Sequence, residues 1–185
     1  KNIEELSETE MRLGGLRINP KTNISSRQRY NTDIKVRVGR TSKEETAAGL
    51  PENGRYSNFS WSPNQKMMAF TNTVNSGVEL WVLDIQNKSA KKITEANLNA
   101  NTGNPFSWFK DSNALLVKII SKDKKPLIDT KTAIPTGPTI SVSEAGVKAQ
   151  NRTYQDLLKN KNDEYNFEQL AQSEIHKITL DGNSS

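Results

Sequence analysis

The amino-acid sequence predicts an all-β fold made of short antiparallel strands. Short apolar runs recur along the chain between clusters of Gly, Pro, Asn and Ser, and residues 34–38 alternate apolar with basic side chains. In addition, one stretch of the chain is repeated, which favours an architecture of similar stacked units. The 185 residues are 33% hydrophobic and 25% charged, which is enough for one domain with much surface and turn.

The clearest unit begins at Phe59. Residues 59–62 and 66–71 are predicted to form two strands around a tight turn, because Pro63 presets the φ angle of the turn and Asn64 tolerates its geometry. Residues 78–85 and 90–94 add a third and a fourth strand. Four short antiparallel strands in about 40 residues are typical of one blade of a β-propeller.

A second unit follows the first. Residues 106–117 repeat residues 59–70 at an offset of 47, with Phe, Ser and Trp in the same order. Residues 174–182 repeat residues 79–87 at an offset of 95. The larger second offset predicts that residues 121–169 are inserted between the second and third strands of the second unit.

The chain is therefore predicted to be a partial β-propeller with antiparallel four-stranded blades and one irregular insert. We assign residues 1–55 to an N-terminal arm and to the outer strands of a first blade. The arm is expected to form a short helix or an extended segment. Residues 56–103 form the second blade and residues 104–185 the third. A complete ring typically has about four to eight blades, so we expect a fragment, or open blade edges that self-associate.

Composition excludes several classes of function. The net charge is +5, but the lysines are spread along the chain without interleaved aromatic residues, so a solvated surface is favoured over a nucleic-acid interface. The chain has no cysteine and a single histidine, which predicts neither a metal site nor a disulfide, and no cofactor motif occurs. No apolar stretch approaches the ~20 residues that span a bilayer.

The start at Lys1 and the high Asn and Lys content lead us to expect an exported bacterial protein, periplasmic or secreted.

No catalytic residue is predicted within the chain. The spacing Gly-x-Ser-x-Gly of a nucleophile elbow is absent. His176, the one candidate base, falls in a predicted strand at the position that matches Trp81, where a structural role is favoured. Trp61, Trp81 and Trp108 are predicted to be core residues, because aromatic residues that repeat from blade to blade usually pack between the blades.

Several stretches resemble one family of peptidases. The blade motif at residues 59–64, with residues 80–84, is similar to the propeller repeat of the prolyl oligopeptidase and dipeptidyl peptidase class. Residues 13–23 (LGGLRINPKTN), 135–140 (PTGPTI) and 152–159 (RTYQDLLK) resemble segments of the glutamyl endopeptidases, a bacterial and chloroplast branch, in the same order and with similar spacing. The resemblance covers nearly the whole chain.

The resemblance implies a parent serine peptidase with an N-terminal propeller and a C-terminal α/β-hydrolase domain that carries a Ser-Asp-His triad. The propeller would cover the active site, restrict substrates to peptides and help bind them, with cleavage after Glu. The hydrolase domain and the peptide substrates are thus the expected partners.

Substrate binding is predicted within the insert. In the related dipeptidyl peptidases, a helix inserted in the propeller reaches the substrate. Here residues 153–159 are predicted to form a short helix with Thr153 as its N-cap and Asp156 completing the cap. Arg152 at the start of that helix could bind a glutamate side chain through two hydrogen bonds, with Thr153 and Gln155 as further donors. Alternatively, Arg152 pairs with a nearby carboxylate such as Asp156 or Asp163.

The alternative function is that of a propeller-like binding module in an exported bacterial protein without peptidase activity. The residues that follow Ser185 in the gene product separate the two hypotheses, because a hydrolase domain with Gly-x-Ser-x-Gly is expected only for the peptidase.

Overall fold

The computed structural model describes residues 8–129 and 156–181. These ranges contain twelve strands in four antiparallel sheets and one α-helix, which lies in the insert. The predicted fold class is therefore confirmed. The strands are β1 (Met11–Leu13), β2 (Leu16–Asn19), β3 (Ile24–Ser25), β4 (Lys35–Val36), β5 (Glu45–Thr46), β6 (Tyr56–Trp61), β7 (Met67–Val74), β8 (Gly77–Asp84), β9 (Ser89–Lys92), β10 (Phe106–Trp108), β11 (Ala114–Ile120) and β12 (Ser173–Thr179), and helix α1 is Lys161–Ala171.

Strands β6–β9 form a four-stranded meander, here called the central sheet, which is apolar on both faces. Side chains alternate between the faces of a strand. Ala69 and Leu80 point to one face, where they pack on β10–β12, and Phe70 and Trp81 point to the other. The second face is covered by residues of the N-terminal region: Ile34, Val36 and Ala47. A sheet buried on both sides explains why β7 and β8 lack a simple polar alternation.

Strands β10–β12 form the second sheet, and it repeats the geometry of the central sheet. His176 lies opposite Val117, as Trp81 lies opposite Phe70, so the register follows the offsets found in the sequence. The turns also match, because Gln65 (φ 58°) and Ser112 (φ 61°), one offset apart, both adopt the left-handed conformation. The sequence repeat thus corresponds to a repeat of backbone structure.

Two hydrogen bonds join the central and second sheets. The indole Nε1 of Trp108 donates to the backbone carbonyl of Ser60 at 3.1 Å. The backbone N–H of Asn64 donates to the hydroxyl of Ser112 at 3.1 Å. Both bonds connect one repeat with the next, so they set how the two sheets stack as well as stabilising each turn.

The core role predicted for Trp61 is wrong in this structure. Its side chain lies at the end of β6 and is 54% exposed, whereas the equivalent Trp108 is half-buried between the two sheets and Trp81 is buried. The physical reason is that Trp108 has the central sheet beside it. The described residues place no comparable sheet on the Trp61 side of β6.

Residues 11–19 of the N-terminal arm form a β-hairpin, whereas residues 1–7, where a short helix or an extended segment was predicted, lie outside the described residues. Gly14 and Gly15 have φ angles of 56° and 79°, the conformation of a tight turn that joins two strands with right-handed twist. Leu13 and Leu16 pair across this turn, and β3 adds a third strand. Strand β4 is shorter than the residues 34–38 expected from the alternation, and it pairs with β5.

Helix α1 ends at a cluster of buried asparagines. A helix leaves its last carbonyl groups without partners inside the helix. The side-chain amides of Asn23, Asn99 and Asn101 all donate to the carbonyl of Leu170, at 3.5, 3.0 and 3.0 Å, and Asn99 also reaches the carbonyl of Gln172 at 3.0 Å. The three asparagines thus attach the insert to the N-terminal sheet and to the link between the two main sheets. Within the described ranges, α1 is far too short and polar to cross a membrane.

Replacing the indole that joins the sheets is expected to destabilise the protein. Trp108→Phe removes the bond to the Ser60 carbonyl and part of the packed surface, so we expect the free energy of unfolding to fall by about 1–2 kcal/mol. Trp61→Phe, the equivalent change at an exposed position, should alter it by less than about 0.5 kcal/mol. Urea unfolding of both variants measures the difference, and equal losses would contradict this account.

Removing one asparagine at the end of α1 should loosen the insert. Asn99→Ala deletes two hydrogen bonds to backbone carbonyls and a third that the side chain accepts from the Asn101 N–H, which we expect to cost about 2 kcal/mol. Amide hydrogen exchange should accelerate in α1 first, because the central sheet keeps its own bonds. Asn113→Ala, on an exposed turn, is the matched control and should leave both quantities nearly unchanged. If α1 exchanges no faster than in the wild type, the asparagines do not anchor it.

Candidate functional site at the base of the insert

The candidate site is the place where the insert leaves the second sheet and returns to it. The chain leaves β11 at residue 121 and re-enters β12 at residue 173. Arg152, Thr153 and Gln155, the predicted substrate-binding residues, lie outside the described residues. The flanking parts, residues 121–129 and 156–172, form what we call the insert base.

The helix predicted from Thr153 to Lys159 is wrong over its described part. Residues 156–159 are not helical, and Asp156 has a left-handed φ of 64°. Helix α1 begins at Lys161, eight residues after Thr153, because Asn160 caps it: the Asn160 side chain accepts a hydrogen bond from the Asp163 N–H at 2.9 Å. Asp163 and Glu164 in the first turn also complement the helix dipole.

Two buried amides of α1 bind the outgoing chain. Asn166 accepts from the Ile128 N–H at 2.8 Å and donates to the Ile128 carbonyl at 2.9 Å, as a neighbouring strand would. Gln169 accepts from the Lys125 N–H at 2.8 Å. Because buried backbone groups need partners, these amides let an irregular segment lie against the helix without a sheet.

Glu174, at the start of β12, binds the first residues of the insert. Its Oε1 accepts from the Lys122 N–H at 2.8 Å and from the Ser121 hydroxyl at 3.1 Å. Its Oε2 lies 3.2 Å from Nε2 of His176. The backbone N–H of Lys122, followed by His176, holds the pKa of the Glu174 carboxyl below its ordinary value.

Ser121, Glu174 and His176 do not form a catalytic triad. In a triad the serine hydroxyl bonds to the histidine, which removes its proton. Here the Glu174 carboxylate lies between the serine and the histidine, so the Ser121 hydroxyl bonds to the carboxylate and not to the imidazole. His176 occupies the strand position expected from the sequence, and these contacts attach the chain rather than prepare a nucleophile.

The returning chain is bound to the N-terminal hairpin. The Gly15 N–H donates to the Asp156 carbonyl at 3.0 Å, and the Arg17 guanidinium lies 3.4 Å from the Asp156 carboxylate and 3.1 Å from Glu10. The hydroxyl of Ser26 is the main reason that the pKa of Glu10 lies below its ordinary value. The residue directly after Gln155 is therefore fixed in place.

The carboxylates considered as local partners of Arg152 have partners of their own. Asp156 pairs with Arg17, and Asp163 accepts from the Lys159 N–H at 3.0 Å at the start of α1. A further cation lies deeper in the base, where Lys124 donates to the Asn23 side chain at 2.9 Å, and burial lowers the pKa of Lys124. Sequence reasoning missed Arg17, Asn166 and Gln169, whose roles depend on contacts distant in sequence.

The chemistry that these residues support is binding and positioning. Within residues 8–129 and 156–181, no group of three or more acidic or histidine side chains is placed to hold a metal ion. The insert base instead joins the outgoing and returning chains to each other and to the hairpin. It forms a fixed platform from which residues 130–155 begin and end.

Comparison with known proteins gives relatives over nearly the whole chain. No protein-family model matches it. The chain is 30% identical to "Probable glutamyl endopeptidase, chloroplastic" of Oryza sativa subsp. japonica and to the protein of the same name in Arabidopsis thaliana, over 194 and 192 residues. Each alignment covers 97% of this chain but 20% of the relative, so the chain spans about a fifth of their length.

Two solved structures resemble parts of this chain. TolB from Acinetobacter baumannii aligns with 77% of this chain and 23% of its own at 12% identity, with a TM-score of 0.38. An acylaminoacyl peptidase from Pyrococcus horikoshii aligns with 47% of this chain and 12% of its own at 27% identity, with a TM-score of 0.31.

The sequence relatives match the family indicated by residues 13–23, 135–140 and 152–159. The two plant proteins are named as chloroplastic, and location in an exported bacterial protein stays a prediction. Over nearly its whole length the chain is homologous to one segment of two proteins named as probable glutamyl endopeptidases, the family that its motifs resemble.

Proposed function

We propose that this chain is a non-catalytic segment of the β-propeller of a serine peptidase and that it helps admit and bind peptide substrates. The observation that carries the proposal is the 30% identity over 97% of the chain to proteins named as glutamyl endopeptidases, of which it spans a fifth. In this proposal, residues 56–103 and 104–185 are successive blades, and residues 1–55 include part of the blade before them.

The nucleophile belongs to another part of the parent protein in this proposal. The chain has no Gly-x-Ser-x-Gly, and its one histidine is engaged with Glu174. A C-terminal α/β-hydrolase domain of the same polypeptide is the proposed source of the catalytic serine, aspartate and histidine. The propeller would then select substrates by access and by contacts with the part of the peptide that does not react.

Arg152 is the proposed contact for the glutamate side chain of the substrate. A guanidinium binds a carboxylate through two parallel hydrogen bonds, which distinguishes Glu from its neutral analogue Gln. The insert base supports this role, because the two carboxylates that Arg152 could otherwise pair with already have partners. Asp156 pairs with Arg17, and Asp163 accepts from the Lys159 N–H. Thr153 and Gln155 are proposed as neutral donors to the same peptide.

The first test compares two proteins in one assay. The full gene product and the 185-residue chain are each incubated with a chromogenic peptide that contains Glu. We expect the gene product to cleave after Glu and the 185-residue chain to be inert. A gene product that cleaves no peptide would remove the proposed function.

The specific role of Arg152 is tested by Arg152→Ala in the full gene product. Loss of a charge-assisted bidentate contact should lower kcat/KM for Glu peptides by about 100-fold and leave cleavage of matched Gln peptides nearly unchanged. Thr153→Ala and Gln155→Ala should each cost about fivefold, as for a neutral hydrogen bond. Arg37→Ala, an exposed arginine far from the insert in sequence, serves as the control for lost positive charge. Unchanged kcat/KM for Glu peptides in Arg152→Ala would refute the role.

A further inference from the structure

Asp156 is held by the N-terminal hairpin in an unfavourable backbone conformation. Its φ of 64° lies in the left-handed region, which costs free energy for residues other than glycine. The Gly15 N–H donates to its carbonyl at 3.0 Å, and the Arg17 guanidinium lies 3.4 Å from its carboxylate. We infer that Arg17 is a positioning residue, which acts through Asp156 to orient Arg152 for the substrate. The inference rests on the role proposed above for Arg152.

Arg17 is itself oriented by an acidic neighbour. Its guanidinium donates to the Glu10 carboxylate at 3.1 Å, and Glu10 also accepts from the Ser26 hydroxyl and from Arg12. Only 20% of the Arg17 side chain and 17% of the Asp156 side chain are exposed, so solvent screens this pair less than a surface pair. A guanidinium supported in this way holds its partner in one geometry, as the supporting residues of a functional site do.

Anchoring of α1 does not require the contact with Asp156. The side chain of Asn160 caps the start of the helix, and buried asparagines bind its end. Between Asp156 and this cap lie Leu157 and Leu158, which are 39% and 36% exposed. Holding Asp156 beyond two exposed leucines therefore constrains the chain that precedes it. Arg152 is four residues earlier, at most about 15 Å away along the backbone.

The alternative is that Arg17 only stabilises the hairpin. Strands β1 and β2 are joined by their own backbone pairing, and Leu13 and Ile18 pack with Leu170 of α1 in a separate apolar cluster. This cluster holds the hairpin on the helix without a guanidinium. Loss of Arg17 should therefore loosen Asp156 and leave the hairpin and α1 in place.

Steady-state kinetics of the full gene product test the inference with matched Glu and Gln peptides. Arg17→Gln should lower kcat/KM for the Glu peptide about tenfold, mainly through KM, and leave the Gln peptide within about twofold. Added to Arg152→Ala, it should cause no further loss, because it acts through that residue. Arg12→Gln removes the exposed guanidinium that also binds Glu10, and this matched control should keep wild-type kinetics.

Amide hydrogen exchange of the same gene product reports the positioning without peptidase activity. In Arg17→Gln, the Gly15 amide that donates to Asp156 should exchange about tenfold faster. The Gln172 amide, bonded at the end of α1, should exchange at the wild-type rate. Asp156→Ala removes the other side of the ion pair and should reproduce both the exchange and the kinetic effects.

The outcomes separate this inference from the proposed function. If Arg152→Ala lowers kcat/KM for the Glu peptide but Arg17→Gln does not, or if their losses add, the inference is overturned and the proposed function stands. Equal losses for the Glu and Gln peptides in Arg17→Gln would likewise overturn it, as would Gly15 exchange at the wild-type rate. If Arg152→Ala itself leaves the Glu peptide unaffected, the proposed role of Arg152 fails and the inference fails with it.

Discussion

The structure depends on burial of both faces of the central sheet. A four-stranded antiparallel sheet with apolar side chains on each side is stable only if something packs on each side. The second sheet covers Ala69 and Leu80, and residues of the N-terminal region cover Phe70 and Trp81. The hydrogen bond from Trp108 to the Ser60 carbonyl then sets the position of one sheet on the other. The contact between successive repeats is thus the organising interaction.

That stacking also determines where the insert emerges. Because β11 and β12 keep the register of β7 and β8, the inserted residues must leave and return at one end of the second sheet. Buried amides replace a sheet there: Asn99 binds the end of α1, and Asn166 binds the outgoing backbone. A rigid platform that carries an inserted segment suits a binding role better than a chemical one, since precise contacts need fixed supports.

The sequence could predict the features that repeat or that depend on neighbouring residues. The offsets of 47 and 95 residues correctly anticipated that His176 would lie opposite Val117. The helix was misplaced because Asp156 is held in a left-handed conformation beside Arg17, a contact that no local pattern reveals. The insert base had one available sequence signal: Asn166 and Gln169, two amide side chains three positions apart among the apolar residues of α1. Trp61 was assigned to the core because a repeated motif shows which face is apolar but not whether a partner covers it.

Exchange of the indole N–H protons, followed by NMR in the 185-residue chain, tests most directly whether successive repeats are joined as described. Trp108 donates to a backbone carbonyl between the sheets and Trp81 donates to Glu79 at 2.8 Å, whereas Trp61 is mostly exposed. The account predicts slow exchange for the Trp108 indole and fast exchange for the Trp61 indole. Exchange of Trp108 as fast as that of Trp61 would contradict the stacking of the two sheets on which the position of the insert base depends.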